Sequence, residues 1–274
     1  MKLLGLSGKK SSGKSTSANF LVGAEMVSLN LISHFRIDTK GRLVVPAEED
    51  GKVEDGIFDL NSSNVKQYLA EFVDPYCKVY SYADDLKYMA INMFGLTHEQ
   101  CYGSNDEKNS NTQYTWEDLP TYVNNTAYNA LPSRQKNTFY SLNRIPFNKY
   151  KPKNIVTARE FLQYLGTLMR SMNLDCWVNS TMRRIQREQP LLAIIADIRY
   201  PNEVDGIHSL GGKVIRFTRS PHEDAHDSES QLNDYEGFDD ICDNANMTIG
   251  EQNEYVYNKC KEWDFLNYEL EYKS

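Results

Sequence analysis

Apolar positions along the chain alternate between two periods. Residues 2–7, Lys-Leu-Leu-Gly-Leu-Ser, form a short apolar run suited to a buried strand. A glycine-bearing loop follows, and residues 14–26 take helical spacing. Residues 63–72 predict another helix and 78–82 a second strand. Over 84–94, Leu86, Met89, Ala90, Met93 and Phe94 fall on one helical face, with Gly95 as the stop. Residues 157–185 predict helix, opened by Thr157 with Glu160 at capping-box spacing; Gly166 marks a break or close packing inside it. The run Leu191-Leu192-Ala193-Ile194-Ile195-Ala196 ends in Asp197 and reads as a central parallel strand. A helix over 202–210 ending near Gly211-Gly212, a strand over 213–218 and a helix within 247–261 complete the pattern. Strands alternating with helices predict an α/β fold with a mostly parallel sheet.

Two stretches interrupt the alternation. In residues 30–60, Phe35-Arg36-Ile37, Asp38-Thr39-Lys40-Gly41 and Leu43-Val44-Val45 predict a hairpin with a glycine turn. The acidic Glu48-Glu49-Asp50 after it reads as solvated. This is a β-rich insertion and not a separate domain. Residues 102–152 are polar, with prolines at 120, 132, 146 and 152, and predict an irregular flap with short helices. A length of 274 residues suggests about two domains. The insertions instead favour one domain over 1–274.

Charge narrows the partners. Lys plus Arg number 30 against 38 Asp plus Glu, a net charge of −8. That argues against a broad basic surface for polymeric nucleic acid, yet leaves room for a small basic pocket. Five cysteines, at 77, 101, 176, 242 and 260, show neither a zinc-type spacing nor a disulfide framework. No apolar run approaches the roughly 20 residues of a membrane span, and Leu3-Leu4-Gly5-Leu6 is too short for a signal-peptide core. A soluble, cytoplasmic protein without a membrane partner is expected.

Gly8-Lys9-Lys10-Ser11-Ser12-Gly13-Lys14-Ser15 fits G-x-x-x-x-G-K-[ST], between a predicted strand and a predicted helix. That context makes a phosphate-binding loop (P-loop) far more specific than the string alone. Gly8 and Gly13 let the backbone curl so that N–H groups, Ser12 among them, face phosphate oxygens, and the helix N-terminus adds positive potential. Lys14 would reach the β- and γ-phosphates, Ser15 would ligate Mg²⁺ and Thr16 would touch the α-phosphate. The bland alternative is a glycine turn before a helix.

Asp197 sits where a carboxylate at a strand's C-terminal end faces the ligand crevice, and Arg199 projects to the same side of an extended chain. A structural Asp–Arg pair is the alternative. Lys87, Arg159 and Arg219 are candidates for gripping phosphate, because phosphoryl transfer between two anions needs cations around both. Singly, each also fits a solvated surface charge. Trp177 is either core or a stacking platform for a base. His226-Asp227-Ser228-Glu229 reads as a solvated loop with an N-cap.

An ordered set of motifs then resembles the deoxynucleoside monophosphate kinases of tailed bacteriophages, including the T-even type. The set comprises Leu6-Ser7-Gly8 through Gly13-Lys14-Ser15, Tyr82-Ala83-Asp84-Asp85-Leu86-Lys87, and Tyr102-Gly103-Ser104 with Lys108-Asn109-Ser110. It continues with Ala158-Arg159-Glu160-Phe161-Leu162-Gln163-Tyr164-Leu165-Gly166-Thr167 and Asp175-Cys176-Trp177-Val178. It closes with Asp197-Ile198-Arg199-Tyr200-Pro201-Asn202-Glu203 and His226-Asp227-Ser228-Glu229. The resemblance implies a P-loop NTPase three-layer α/β/α core with a lid, MgATP as donor and a deoxynucleoside 5′-monophosphate (dNMP) as acceptor. It implies that Lys87, Arg159, Gly166, Thr167, Trp177, Asp197, Arg199 and Glu203 serve the monophosphate. It also implies that Gly8, Lys10, Ser12, Gly13, Lys14, Ser15, Thr16 and Arg219 serve ATP, with either Arg216 or Arg219 acting on the phosphates from the lid. Lys14, Arg159, Asp197 and Arg199 are the expected catalytic group, and a homodimer is implied. Asp243-Asn244-Ala245-Asn246 resembles a loop that packs on adenine. The insertions at 30–60 and 102–152 have no counterpart in the T-even pattern. Rival readings are a P-loop kinase for a nucleoside or dephospho-coenzyme A, and a non-catalytic nucleotide-binding protein or ATPase.

Overall fold

The computed structural model describes residues 1–49, 52–119, 154–220 and 232–270. Along the chain run β1 (Lys2–Ser7), α1 (Lys14–Ser28), β2 (Arg36–Ile37), β3 (Leu43–Glu49), β4 (Lys52–Ile57), α2 (Ser63–Phe72) and β5 (Cys77–Tyr80). Next come α3 (Asp84–Phe94), α4 (His98–Tyr102), α5 (Asn105–Lys108), β6 (Asn111–Thr115), β7 (Ile155–Thr157) and α6 (Ala158–Met172). The last described elements are α7 (Cys176–Glu188), β8 (Leu192–Ile198), α8 (Pro201–Ser209), β9 (Lys213–Phe217), β10 (Asp240–Cys242) and α9 (Ile249–Glu262). The chain divides into two compact units, one of residues 1–82 with 178–274 and one of residues 83–177.

The first unit is built on a five-stranded sheet in the order β10-β9-β1-β8-β5, every described pairing parallel. Its strands are apolar at consecutive positions because both faces are covered. Leu4, Leu6, Ile194, Ile215 and Phe217 pack on one face with Leu21 of α1 and Val256 of α9. Leu3, Ala193, Ile195 and Val214 pack on the other with Ile185 of α7 and Ile207 of α8. This is the expected α/β/α arrangement. None of the described helices is long and apolar enough to cross a membrane.

The 30–60 insertion is the expected hairpin extended by a third strand, an antiparallel sheet in the order β2-β3-β4. Glu48 and Glu49 belong to β3 and pair with Val53 and Lys52 in register, so the acidic stretch enters a strand. Phe35, Leu43 and Val45 enter the core beside α1, and the Phe20 and Phe35 rings lie 5.4 Å apart. The turn is set by Asp38, whose Oδ1 accepts from the Lys40 and Arg42 N–H groups at 2.9 Å each.

The second unit packs α3 against α6 beside the β6–β7 pair. Ala90, Leu96, Cys101, Val156, Phe161 and Leu165 form its core. The Phe94 and Phe161 rings meet edge to face at 5.3 Å. Helix α6 opens with the predicted box, in which Thr157 Oγ1 accepts from Glu160 N–H. The continuous helix expected over 157–185 is corrected to two helices that part at Asn173–Asp175. The Asn173 side chain takes the Asp175 N–H at 3.0 Å and competes with the helical ladder. Gly166 is no break. It is buried within α6, and a Cβ there would stand 3.3 Å from Leu86 Cδ2. In the 102–152 stretch, the described part contains α5, β6 and a 3₁₀ turn at Trp116–Asp118. Residues 120–153 and His226-Asp227-Ser228-Glu229 lie outside the described residues.

Candidate functional site

An all-parallel sheet directs every strand's C-terminal end to one edge, and the residues that follow those ends line it. In the first unit these are the 8–15 loop after β1, Ser81-Tyr82 after β5, Asp197 to Arg199 at the end of β8, Thr218-Arg219 after β9 and Asp243-Asn244 after β10. Sequence separations of more than two hundred residues collapse here because five strands share one direction.

The P-loop wraps its own lysine. Lys14 Nζ donates to the carbonyl oxygens of Gly8 and Lys9, 2.6 Å each, and lies 3.4 Å from Ser12 Oγ. Gly13 caps α1 at φ 104°, a left-handed conformation, and no side chain caps the helix. The amide groups of the first turn are therefore directed by backbone geometry and not by a competing side chain. Ser15 and Lys10 are exposed, while Ser12 is buried.

A polar scaffold behind the loop was missed by sequence reasoning. Asn244 Nδ2 donates to the Ser12 carbonyl at 2.7 Å and to Gln252 Oε1 at 2.6 Å. Gln252 Nε2 donates to the Gly13 carbonyl at 3.1 Å and to Ser17 Oγ at 2.8 Å, and Ser17 Oγ donates to Asn253 Oδ1 at 3.1 Å. Asn244, Gln252, Ser17 and Asn253 are all buried. Buried amides are costly unless bonded, so the bonds of Asn244, Gln252 and Ser17 fix the loop's curvature, while Asn253 Nδ2 has no hydrogen-bond partner among the described residues. A signal did exist: Gln252 and Asn253 occupy the core stripe that continues through Val256, Tyr257 and Cys260.

The same network reaches Arg219. Its N–H donates to Asn244 Oδ1 at 2.8 Å, and its guanidinium binds the carbonyls of Asn244 (Nε, 3.0 Å) and Met247. Arg219 thus anchors the 243–247 loop, the segment whose sequence resembles an adenine-packing loop. Arg216 instead donates to Ser7 Oγ at 3.0 Å and lies over the Phe238 ring.

On the opposite side of α1, the turn of the β-insert meets the helix. Asn19 Nδ2 donates to the Gly41 carbonyl at 2.8 Å. Gly41 has φ 77°, and a Cβ there would collide with Thr16 Oγ1. Any side chain at 41 would have to displace the hydroxyl expected to touch the α-phosphate.

Asp197 accepts from Ser81 Oγ at 2.5 Å and from Tyr82 N–H at 3.0 Å, so β5 orients the carboxylate that β8 supplies. Ser81 has no distinguishing sequence signal, since pairing of β5 with β8 is what places it there. Arg199 is exposed. Glu203 is buried, and its Oε2 accepts from the N–H groups of Arg199 at 2.7 Å and Tyr200 at 3.1 Å. Its observed work is to cap α8 and shape the chain around Arg199. Tyr82 Oη donates to the Glu203 carbonyl at 2.8 Å, and burial raises that phenol far above its ordinary range.

The remaining predicted residues, Lys87, Arg159, Gly166, Thr167 and Trp177, belong to the second unit. Lys87 Nζ stands 4.2 Å from the Tyr102 ring centroid. Arg159 Nη2 donates to Asn105 Oδ1 at 3.0 Å. Gly166 and Thr167 lie about two turns along α6 from Arg159. Trp177 is buried, and its indole N–H donates to the Gly166 carbonyl at 3.3 Å, which favours the core reading over a stacking platform. Lys108, on α5, is pushed below the ordinary lysine range by burial and then by the charges of Lys87 and Arg159, against weaker support from Glu107 and Cys101.

Ser15 and Asp197 offer hard oxygen donors suited to Mg²⁺. Both stand at the C-terminal edge of the sheet.

No family model matches the chain. Over 185 residues it is 26% identical to a protein of Acanthamoeba polyphaga mimivirus named "Putative deoxynucleotide monophosphate kinase", covering 62% of this chain and 76% of that relative. With an α/β/α parallel sheet and a P-loop at its edge, this chain therefore stands in a distant kinase-like relation to a viral protein of that name.

Proposed function

We propose that the protein transfers the γ-phosphoryl group of MgATP to a deoxynucleoside 5′-monophosphate, giving ADP and the diphosphate. The observation that carries the reading is the P-loop at the C-terminal sheet edge, curled around Lys14 and held from behind by Asn244 and Gln252. The acceptor's identity draws on the motif order and on the name of the mimivirus relative.

In this mechanism the nucleophile is the acceptor phosphate, which is already anionic at neutral pH. Little base catalysis is required, and positioning with charge stabilisation carries the rate. Lys14 leaves the Gly8 and Lys9 carbonyls to bind the β- and γ-phosphates, and the α1 amides take phosphate oxygens. Ser15 would hold Mg²⁺, which would supply charge neutralisation for the transferred phosphoryl group, and Asp197 would order a metal-bound water or an acceptor hydroxyl. Thr16 meets the α-phosphate, and Arg219 with the 243–247 loop borders the base. Lys87 and Arg159 grip the acceptor phosphate, and Arg199 neutralises charge developing on the transferred group. Soluble nucleotides in the cytoplasm suffice as partners.

The test is an ADP-release assay with each of the four dNMPs and their ribo counterparts. ADP release that depends on a dNMP is expected. Release without any acceptor would instead support an ATPase. Release with a nucleoside or dephospho-coenzyme A, but with no dNMP, would move the acceptor class.

A further inference from the structure

The β-insert touches α1 at two places. Near the middle of the helix, Phe35 and Leu43 arrive over Gly23, where a Cβ would stand 2.6 Å from Phe35 Cδ2 and 2.8 Å from Leu43 Cδ1. The Phe20 ring joins that apolar seam. About two turns nearer the P-loop, the turn of the insert meets Asn19 and Thr16. Asn19 Nδ2 donates to the Gly41 carbonyl at 2.8 Å, and the Gly41 backbone abuts Thr16 Oγ1.

The two contacts contribute differently. The apolar seam buries Phe35 and Leu43 and holds the insert to the fold. The polar tip rests on a hydroxyl, and it needs a left-handed backbone at Gly41 that other residues adopt only under strain. Even so, the tip is cross-linked. Asp38 Oδ1 accepts from the Lys40 and Arg42 N–H groups, the Asp38 carbonyl accepts from Gly41 N–H at 2.9 Å, and Asp38 Oδ2 holds the Arg42 guanidinium at 2.6 Å. A turn tied in this way presents Gly41 as a firm stop.

Thr16 is the residue on which that stop bears. A helical threonine can turn its hydroxyl back onto the carbonyl three or four residues earlier. For Thr16 these are the Gly13 and Ser12 carbonyls, which accept instead from Gln252 Nε2 at 3.1 Å and Asn244 Nδ2 at 2.7 Å. Thr16 is half-buried, and its Oγ1 makes no hydrogen bond among the described residues. The hydroxyl stays out of the helix's own bonding while the insert confines it from outside.

We propose that the 38–41 turn is a positioning element of the nucleotide site, in which Asn19 and Gly41 hold the Thr16 hydroxyl ready for the α-phosphate of a nucleoside triphosphate. This role rests on the P-loop reading and not on the identity of the acceptor. Thr16 makes the contact, and Asn19 and Gly41 act only through it, so that binding does not have to freeze that rotamer.

The test is a double-mutant cycle read as the MgATP dissociation constant, measured by direct titration of the whole chain. Thr16→Ala should weaken MgATP about tenfold or more, the loss of one hydrogen bond to a charged group. Asn19→Ala should weaken it about three- to tenfold with Thr16 present, and by less than about twofold in the Thr16→Ala background, where the hydroxyl it positions is gone. Equal weakening in the two backgrounds, or none in either, overturns the inference, because Asn19 then only fastens the insert to the helix. Should Asn19→Ala fail to fold, Gly41→Ala is read in the same two backgrounds. Its methyl would displace Thr16 Oγ1 but has room once that hydroxyl is removed, so the same dependence on Thr16 is expected and its absence refutes the role. A wild-type protein that binds MgATP but phosphorylates no dNMP removes the kinase reading and leaves this cycle to decide as before. A wild-type protein that binds no MgATP removes the P-loop reading and this role with it.

Discussion

The two units handle their polar groups in opposite ways. Behind the P-loop, buried amides satisfy one another: Asn244 serves Ser12 and Gln252, and Gln252 serves Gly13 and Ser17. In the second unit, the predicted cations meet a ring and an amide: Lys87 stands over Tyr102, and Arg159 donates to Asn105 Oδ1. The first arrangement is stable before any ligand arrives and fixes a shape. The second keeps charged side chains half-buried, within reach of solvent. A loop that must present backbone N–H groups in register needs the first; side chains that must reach for a ligand are served by the second.

Substitutions can break this contrast, and the largest effect is expected at Lys14. Lys14→Ala should cut phosphoryl transfer by about 10²-fold or more with the unfolding midpoint nearly unchanged, because the Nζ bonds to the Gly8 and Lys9 carbonyls stay within the loop itself. Near-normal turnover in that variant would remove the P-loop from the mechanism.

Arg159→Ala comes next. It should raise the dNMP KM by about 10- to 100-fold, the worth of a charged hydrogen bond, with a much smaller change for ATP. Equal changes in both constants would show that the second unit's cations are not specific to the acceptor.

Gln252→Ala should behave in the opposite sense. It removes the Gln252 partner of Asn244 Nδ2, of Ser17 Oγ and of the Gly13 carbonyl, so stability should fall by about 1–3 kcal/mol and the ATP KM should rise while the dNMP KM holds. Chemical denaturation and steady-state kinetics on the same preparation check both parts. A stable variant with normal ATP affinity would show that the scaffold does not hold the loop.

The sequence by itself determined the local elements and the loop. The apolar run before Gly8, the G-x-x-x-x-G-K-S string and the capping pair Thr157–Glu160 are short-range patterns, and backbone sterics and hydrogen bonding settle them within a few residues. The continuous apolar runs also announced a sheet covered on both faces. The break at Asn173 escaped because a side chain's competition for one N–H leaves no periodic trace. Strand β10 escaped because three residues are too few to show a period.

Tertiary structure alone decided which distant residues serve the same atoms. Ser81 reaches Asp197 only because β5 lies beside β8, and Gln252 reaches Gly13 only because α9 packs on α1. Gly41 meets Thr16 only because the β-insert docks on the same helix. In the second unit, Arg159 reaches Asn105 only because Ser110 pairs with the start of α6. Periodicity reports which face of an element is buried, but the energies that choose a neighbour depend on packing between segments far apart in the chain. The P-loop was therefore legible from the first fifteen residues, while its scaffold was a product of the fold.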